Sequence, residues 1–289
     1  MTAFKRTFFV LMLLVIPLQL FSQDLKHVSL KYQGLEREYW LLVPDSLDPR
    51  RPLVILLHGY GGTADGYRPE MVQCAREKGF VLCIPQGFKD PEGSRSWNVG
   101  YPSQRGMKTD DVAFIEHLAK SICRKYSLDR GNVFLTGMSN GGEMCYLMAC
   151  VRPKLFKGIA SVAGLTMEWI VKQKPLPSVP VAFMEIHGTK DVVSMWEGDP
   201  DNTGGWGTYT SVPEAMGRIV AAARCTHQKS ELLPKLKEDS HQIVLHRYLG
   251  GGRDVLLYEV EGGVHSWFLD DIDTVGEIWR FFDSQMKCN

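Results

Sequence analysis

The chain has 289 residues, with 33 basic and 33 acidic side chains and a formal net charge of zero. That balance excludes the strongly basic surface that nucleic acid or an anionic membrane would require, so neither is expected as a partner. A hydrophobic content of 44% is ample for one sizeable core, and seven cysteines leave at least one unpaired if every bridge is internal.

Lys5 and Arg6 precede an apolar run over residues 8–20 that contains Pro17. This pattern predicts an export signal over residues 1–23, because the run is too short to span a bilayer. Cleavage is expected near Ser22 or Gln23, and the first cysteine is Cys74, too distant for a lipid anchor. The mature chain is therefore expected in a secreted or periplasmic setting, not inserted in a membrane.

Lys26 to Tyr32 and Glu36 to Val43 read as a hairpin around Gln33-Gly34. Leu53-Val54-Ile55-Leu56-Leu57 is a continuous apolar run, the form of a strand buried on both faces. It opens into His58-Gly59-Tyr60-Gly61-Gly62, where glycines let backbone N–H groups approach a ligand. A helix over about 66–78 and strand 80–84 follow, then helix 110–125 and strand 132–136. That strand ends in Gly137-Met138-Ser139-Asn140-Gly141 and leads into helix 141–150. A strand, Gly-x-Ser-x-Gly and a helix in succession form the sequence pattern of a nucleophile elbow. The turn lifts the serine hydroxyl clear of the sheet, and the helix N-terminus favours developing negative charge.

Strand 158–163 follows, then strand 180–186, which runs into His187-Gly188-Thr189-Lys190-Asp191. Helix 212–224 and strands 242–248 and 255–260 come next. The last of these strands runs into Glu261-Gly262-Gly263-Val264-His265-Ser266-Trp267, and a helix over about 275–286, with Thr274 and Glu277 as a capping box, closes the chain. Alternation of this kind predicts a mostly parallel central sheet with helices on both faces. Ser139, Asp191 and His265 each follow the carboxyl end of a strand, the edge on which open α/β sheets build their sites.

Ser, Asp, His is the chain order of the α/β-hydrolase triad, so residues 24–289 read as one catalytic domain of that fold class. Ser139 is the nucleophile, His265 the base that takes its proton, and Asp191 the group that fixes the imidazole. Asp199 and Asp201 on the same loop are the competing acids. His58 and His187 read as loop braces, and His27, His117, His227, His241 and His246 as packed or solvated. The oxyanion donors are assigned to the backbone N–H groups of Tyr60 and Asn140. No zinc-ligand spacing and no His-Glu-x-x-His motif occur in the sequence, so neither metal nor cofactor is expected. The Gly-, Asp- and Trp-rich stretch from Val192 to Thr210 has no periodicity. It reads as a loop in which Trp196 and Trp206 either line a pocket or pack.

Gly-Met-Ser-Asn-Gly-Gly, His-Gly-Thr-Lys-Asp and Gly-Gly-Val-His-Ser-Trp resemble signature segments of esterases in the polyhydroxybutyrate depolymerase and feruloyl esterase group. The resemblance runs from about Lys31 to Phe282 and includes Ser96-Trp97-Asn98 and Asp110-Asp111. It implies a serine esterase whose Trp-Asn segment and aspartates lie near the site. Trp97, with Trp267 of the histidine motif, is then a candidate substrate contact, loop packing being the other reading of Trp97. It also implies a Cys150–Cys225 bridge, at helix ends where related esterases carry one; Cys288, near the terminus, is expected as a free thiol. Relatives often continue the histidine motif with Trp-Pro-Gly, whereas Trp267 is followed here by Phe268-Leu269-Asp270. No polyester-binding module is visible, which tilts the substrate toward a feruloyl or acetyl ester linked to plant polysaccharide. A polyhydroxyalkanoate depolymerase or peptidase on the same fold, and a non-catalytic carbohydrate-binding protein, are the alternatives.

Overall fold

A computed structural model describes residues 25–287 apart from Leu47, Pro49 and Pro175. The export signal and Cys288 lie outside the described residues. The strands are β1 (Lys26–Tyr32), β2 (Leu35–Leu42), β3 (Leu53–Leu57), β4 (Val81–Pro85), β5 (Phe88–Lys89), β6 (Arg95–Ser96), β7 (Val133–Met138), β8 (Gly158–Val162), β9 (Ala182–Gly188), β10 (His227–Leu232), β11 (Gln242–Leu249) and β12 (Val255–Glu261). The helices are α1 (Pro69–Lys78), α2 (Asp111–Lys125), α3 (Asn140–Val151), α4 (Glu168–Gln173), α5 (Val212–Ala223) and α6 (Thr274–Lys287).

Among the described residues ten strands form one sheet in the order β1-β2-β4-β3-β7-β8-β9-β12-β11-β10. The inner strands from β4 to β12 run parallel, and antiparallel hairpins finish both edges. The chain steps from β3 outward to β4, then returns to β7 on the other side of β3. The carboxyl ends of β3 and β7 therefore flank the point where strand order reverses, which is where open α/β sheets leave a crevice. One apolar core lies between the sheet and α2, α3 and α5. The other lies beneath α1 and α6, where Phe80 stacks on Trp279 and Phe134 on Phe282.

The first hairpin turns as expected, with Gln33 and Gly34 both at positive φ, the backbone that a two-residue primed turn needs. Three elements had no pattern by which to predict them. Strand β10, His-Gln-Lys-Ser-Glu-Leu, is polar and almost wholly exposed, so no alternation marks it. Helix α4 is only six residues long, and the β5–β6 hairpin has two residues in each strand. Helix α1 starts at Pro69, later than expected, because Arg68 at φ 51° is left-handed and cannot continue a helix. The capping box at Thr274 does not form. The Gly276 N–H donates to Asp273 Oδ1 (3.0 Å), which makes Asp273 the cap, while the Thr274 hydroxyl donates to the Trp267 carbonyl (2.6 Å).

The expected Cys150–Cys225 bridge is also absent, since the six described cysteines are all free thiols. The Cys225 thiol donates instead to the Tyr248 carbonyl at 3.5 Å, and both cysteines pack against the α2/α3/α5 core.

Candidate active site

Ser139 is held by backbone geometry that its neighbours make possible. It caps α3 at φ 56° and ψ −124°, a conformation that costs a non-glycine residue on the order of 1–3 kcal/mol and persists where the surroundings over-determine it. A Cβ at Gly137 would lie 2.7 Å from the Gly141 backbone, and one at Gly141 would lie 2.6 Å from the Leu57 carbonyl. Those distances explain both glycines of the pentapeptide. They bring β3, β7 and α3 into backbone contact directly beneath the serine.

His265 and Asp191 meet across the ends of β12 and β9. Asp191 Oδ2 lies 2.7 Å from His265 Nδ1, and Oδ1 accepts the N–H groups of Val193 and Ser194, each at 2.8 Å. Asp191 is buried, whereas the His265 side chain is 19% exposed, enough to meet a ligand. With Nδ1 turned to the carboxylate, Nε2 is the ring nitrogen left for proton transfer. Asp199, one of the two competing acids, is tied to Thr203 and Gly204 within its own loop.

Ser139 and His265 line one cavity of about 220 Å³ with Tyr60, Tyr101, Glu143, Val193, Ser194 and Trp206. The rings of Tyr60, Tyr101 and Trp206 sit 5.2–6.0 Å apart and form its aromatic wall. Trp206 is thus a pocket residue. Trp196 is outside that lining and packs edge-on against His187, on the flank of the α2/α3/α5 core. Tyr60 is fixed through its hydroxyl, which donates to Asp90 at 2.6 Å.

Trp97 has no accessible surface and cannot touch a substrate. Its indole N–H donates to the His58 carbonyl (2.9 Å), and its backbone exchanges two hydrogen bonds with the Asn140 side chain (2.7 and 3.0 Å). It therefore ties the loop after β3, which carries Tyr60, to the first turn of α3. Trp267 is buried as well, donates to the Tyr67 hydroxyl (3.2 Å), and lines a separate hollow with Arg68, Met138 and Lys237. Neither tryptophan borders the Ser139 cavity, in contrast to the sequence expectation. Asp111 is likewise structural. It pairs with buried Arg37 (2.8 Å) and accepts the Asn98 N–H (2.8 Å), pinning the Trp97 loop to α2, while Asp110 caps that helix.

His58 braces its loop, as expected. Its Nδ1 donates to the Gly59 carbonyl (2.7 Å), and its Nε2 accepts the Gly87 N–H (2.9 Å). Burial pushes its pKa down to about 4, so it is neutral near pH 7.

The residues that sequence reasoning missed are Tyr101, Glu143 and Gln104. Gln104 Oε1 accepts the N–H groups of Val99, Gly100 and Tyr101 and so shapes the segment that presents the Tyr101 ring. The Tyr101 hydroxyl donates to Glu143, one helical turn beyond Ser139. Spacing from the serine places Glu143 on the cavity side of α3, and that i+4 relation was the available signal.

Burial pushes the Glu143 carboxyl up to about 7, against hydrogen bonds from Tyr101 and Asn140 that favour its charge. An unfolded glutamate titrates near 4.5, so the proton held by the folded protein stabilises it fully below that pH. The contribution is lost as pH rises through about 7. Urea denaturation should show wild type losing on the order of 3 kcal/mol more than Glu143→Gln between pH 4.5 and 7.5. Equal losses in the two proteins would show that Glu143 keeps its ordinary titration.

The architecture is that of the α/β-hydrolases. A solved acetyl xylan esterase from Aspergillus awamori superposes with a TM-score of 0.60 at 14% identity, covering 89% of this chain and 99% of that one. Residues 38–172 match the model of the Esterase PHB depolymerase family. The chain is 31% identical over 170 residues to feruloyl esterase C of Emericella nidulans, and 24% identical over 178 residues to poly(3-hydroxyalkanoate) depolymerase C of Paucimonas lemoignei. Each match covers 56% of this chain, which spans 57% and 43% of the length of those two relatives.

Proposed function

We propose that the protein is an exported serine esterase that cleaves feruloyl or acetyl esters of plant polysaccharide through Ser139, Asp191 and His265. The observation that carries this reading is the 2.7 Å contact between Asp191 and His265 beside a cavity that also holds Ser139. His265 takes the Ser139 proton as the hydroxyl attacks the ester carbonyl, and Asp191 supports the imidazolium that forms. The oxyanion is received by the N–H groups of Tyr60 and Asn140, the latter an unpaired donor of the first turn of α3. His265 then protonates the departing alcohol, and water repeats the sequence on the acyl-serine.

Similarity to feruloyl and acetyl xylan esterases supports the substrate class. The wall of Tyr60, Tyr101 and Trp206 favours an aromatic acyl group over acetyl, because rings pair with rings beyond simple burial. A second reading, hydrolysis of hydroxyalkanoate esters, is supported by the matched family and by the Paucimonas lemoignei relative. Export is supported by the charged and apolar leader, and among the described residues no helix is long and apolar enough to cross a membrane.

Product release from methyl ferulate, acetylated xylan and a 3-hydroxybutyrate oligomer, assayed side by side, separates these readings. Ferulate is expected at the highest kcat/KM. A clear preference for the oligomer would move the assignment to the depolymerase, and inactivity on all three would remove it.

A further inference from the structure

Beside Asp191, and not among the residues that line the cavity, lies a second histidine. His187 near the end of β9 is fully buried, as is Glu185 two residues before it on the same face of the sheet. His187 Nδ1 lies 2.9 Å from Glu185 Oε1, and Nε2 lies 2.8 Å from the Ser194 carbonyl oxygen and 3.7 Å from Asp191 Oδ2. A neutral imidazole has one N–H donor and one acceptor nitrogen. Both nitrogens of His187 face oxygen acceptors, and the carboxylate oxygen at Nδ1 also takes the Gly164 N–H at 3.1 Å. Both are therefore placed to donate, as the two N–H groups of an imidazolium would. Burial opposes that charge, but the hydrogen bond and charge of Glu185, the Ser194 carbonyl and Asp191 outweigh it and move the His187 pKa upward.

We propose that Glu185 and His187 form a buried positioning pair that fixes the Asp191 loop and moderates the negative charge Asp191 presents to His265. This inference rests on the serine-esterase reading. The contacts run in sequence from Glu185 to His187, from His187 to Asp191 and from Asp191 to His265. Asp191 Oδ1 is occupied by two backbone N–H groups, so Oδ2 alone serves both His265 and the His187 cation. A cation near that oxygen opposes a second positive charge on the other side. His265 is thereby kept available as a base at lower pH than a lone Asp191 would allow. The Ser194 carbonyl is bound to the same ring, so the pair also holds in place the segment whose N–H groups orient Asp191.

Among the described residues, several other titratable groups around the pair are neutral or already engaged. Cys145 and Tyr146 of α3 feel the Glu185 charge and are held neutral by burial. The Tyr209 hydroxyl is engaged by the Val193 carbonyl and the Met195 N–H. Glu259, the register partner of His187 on β12, is bound to His246 at 2.9 Å. A buried ion pair seldom adds net stability over an apolar replacement, so packing alone gives little reason for one here.

The test is the pH profile of kcat/KM on p-nitrophenyl acetate for the full chain, for His187→Asn, and for the double variant Glu185→Gln/His187→Asn. The double variant removes both charges together, so neither is left buried alone. In both variants the acid limb should move to higher pH by roughly half a unit to one unit. Limbs that coincide with wild type in folded, active variants would overturn the inference. So that the result does not depend on a variant folding, nitrogen NMR of the wild-type protein at neutral pH should show the His187 ring protonated on both nitrogens. A neutral single tautomer there would overturn it too. These outcomes are separate from the serine-esterase reading. Turnover that is lost in Ser139→Ala while the acid limb stays fixed in the double variant would retain that reading and remove only the pair's role.

Discussion

Ser139→Ala is expected to lower ester hydrolysis by on the order of 10⁴-fold or more, with an unchanged denaturation midpoint. The loss should be this large because the nucleophile and its base act as a unit, leaving only what the oxyanion donors and binding supply. The fold should survive because the hydroxyl makes none of the contacts that set the elbow. The backbone of Ser139 donates to the Val162 carbonyl at 2.9 Å, and its carbonyl accepts the Glu143 N–H at 2.8 Å. Both bonds remain in the alanine variant. A cleanly folded protein with near-normal turnover would end the serine mechanism.

The second large effect belongs to the base. His265→Ala should remove nearly all activity together with the acid limb of the rate profile, since an imidazolium cannot accept the serine proton. His58→Ala is the contrasting variant. That ring holds the Gly59 carbonyl and the Gly87 N–H, so its removal should lower stability while leaving an acid limb in the profile. Steady-state kinetics from pH 4 to 9 on both proteins distinguishes them. If His58→Ala loses the limb and His265→Ala keeps it, the base has been misassigned.

The parallel sheet was legible because its strands are continuous apolar runs, and a strand such as Leu53–Leu57, buried at every position, leaves little ambiguity. The elbow was legible because two glycines are forced by backbone approach. The pairing of Asp191 with His265 followed from both lying past carboxyl ends of strands that prove to be neighbours. The aromatic wall was not legible. Tyr60, Tyr101 and Trp206 come from three separate loops, and nothing local marks which loop aromatics will converge. Trp97 shows the reverse case, in which a residue that the family resemblance sets near the site is wholly occupied in joining two loops. The doubly bound His187 was invisible for a related reason. Its sequence setting at a strand end is the same as that of His58, and only the identity of the buried partners separates a cation from a neutral brace.

The two outer strands have a bearing on how the protein behaves when it is crowded. Open sheets present unpaired N–H and C=O groups along both margins, and another chain can add to them. Here β1 carries exposed Lys26 and Lys31, and β10 carries exposed Lys229 among polar neighbours. A copy that docked edge to edge would bring like ammonium groups together and strip their hydration. The margins of the sheet therefore resist self-templated aggregation. The same polarity that hid β10 from pattern recognition is what keeps that edge from nucleating a fibre.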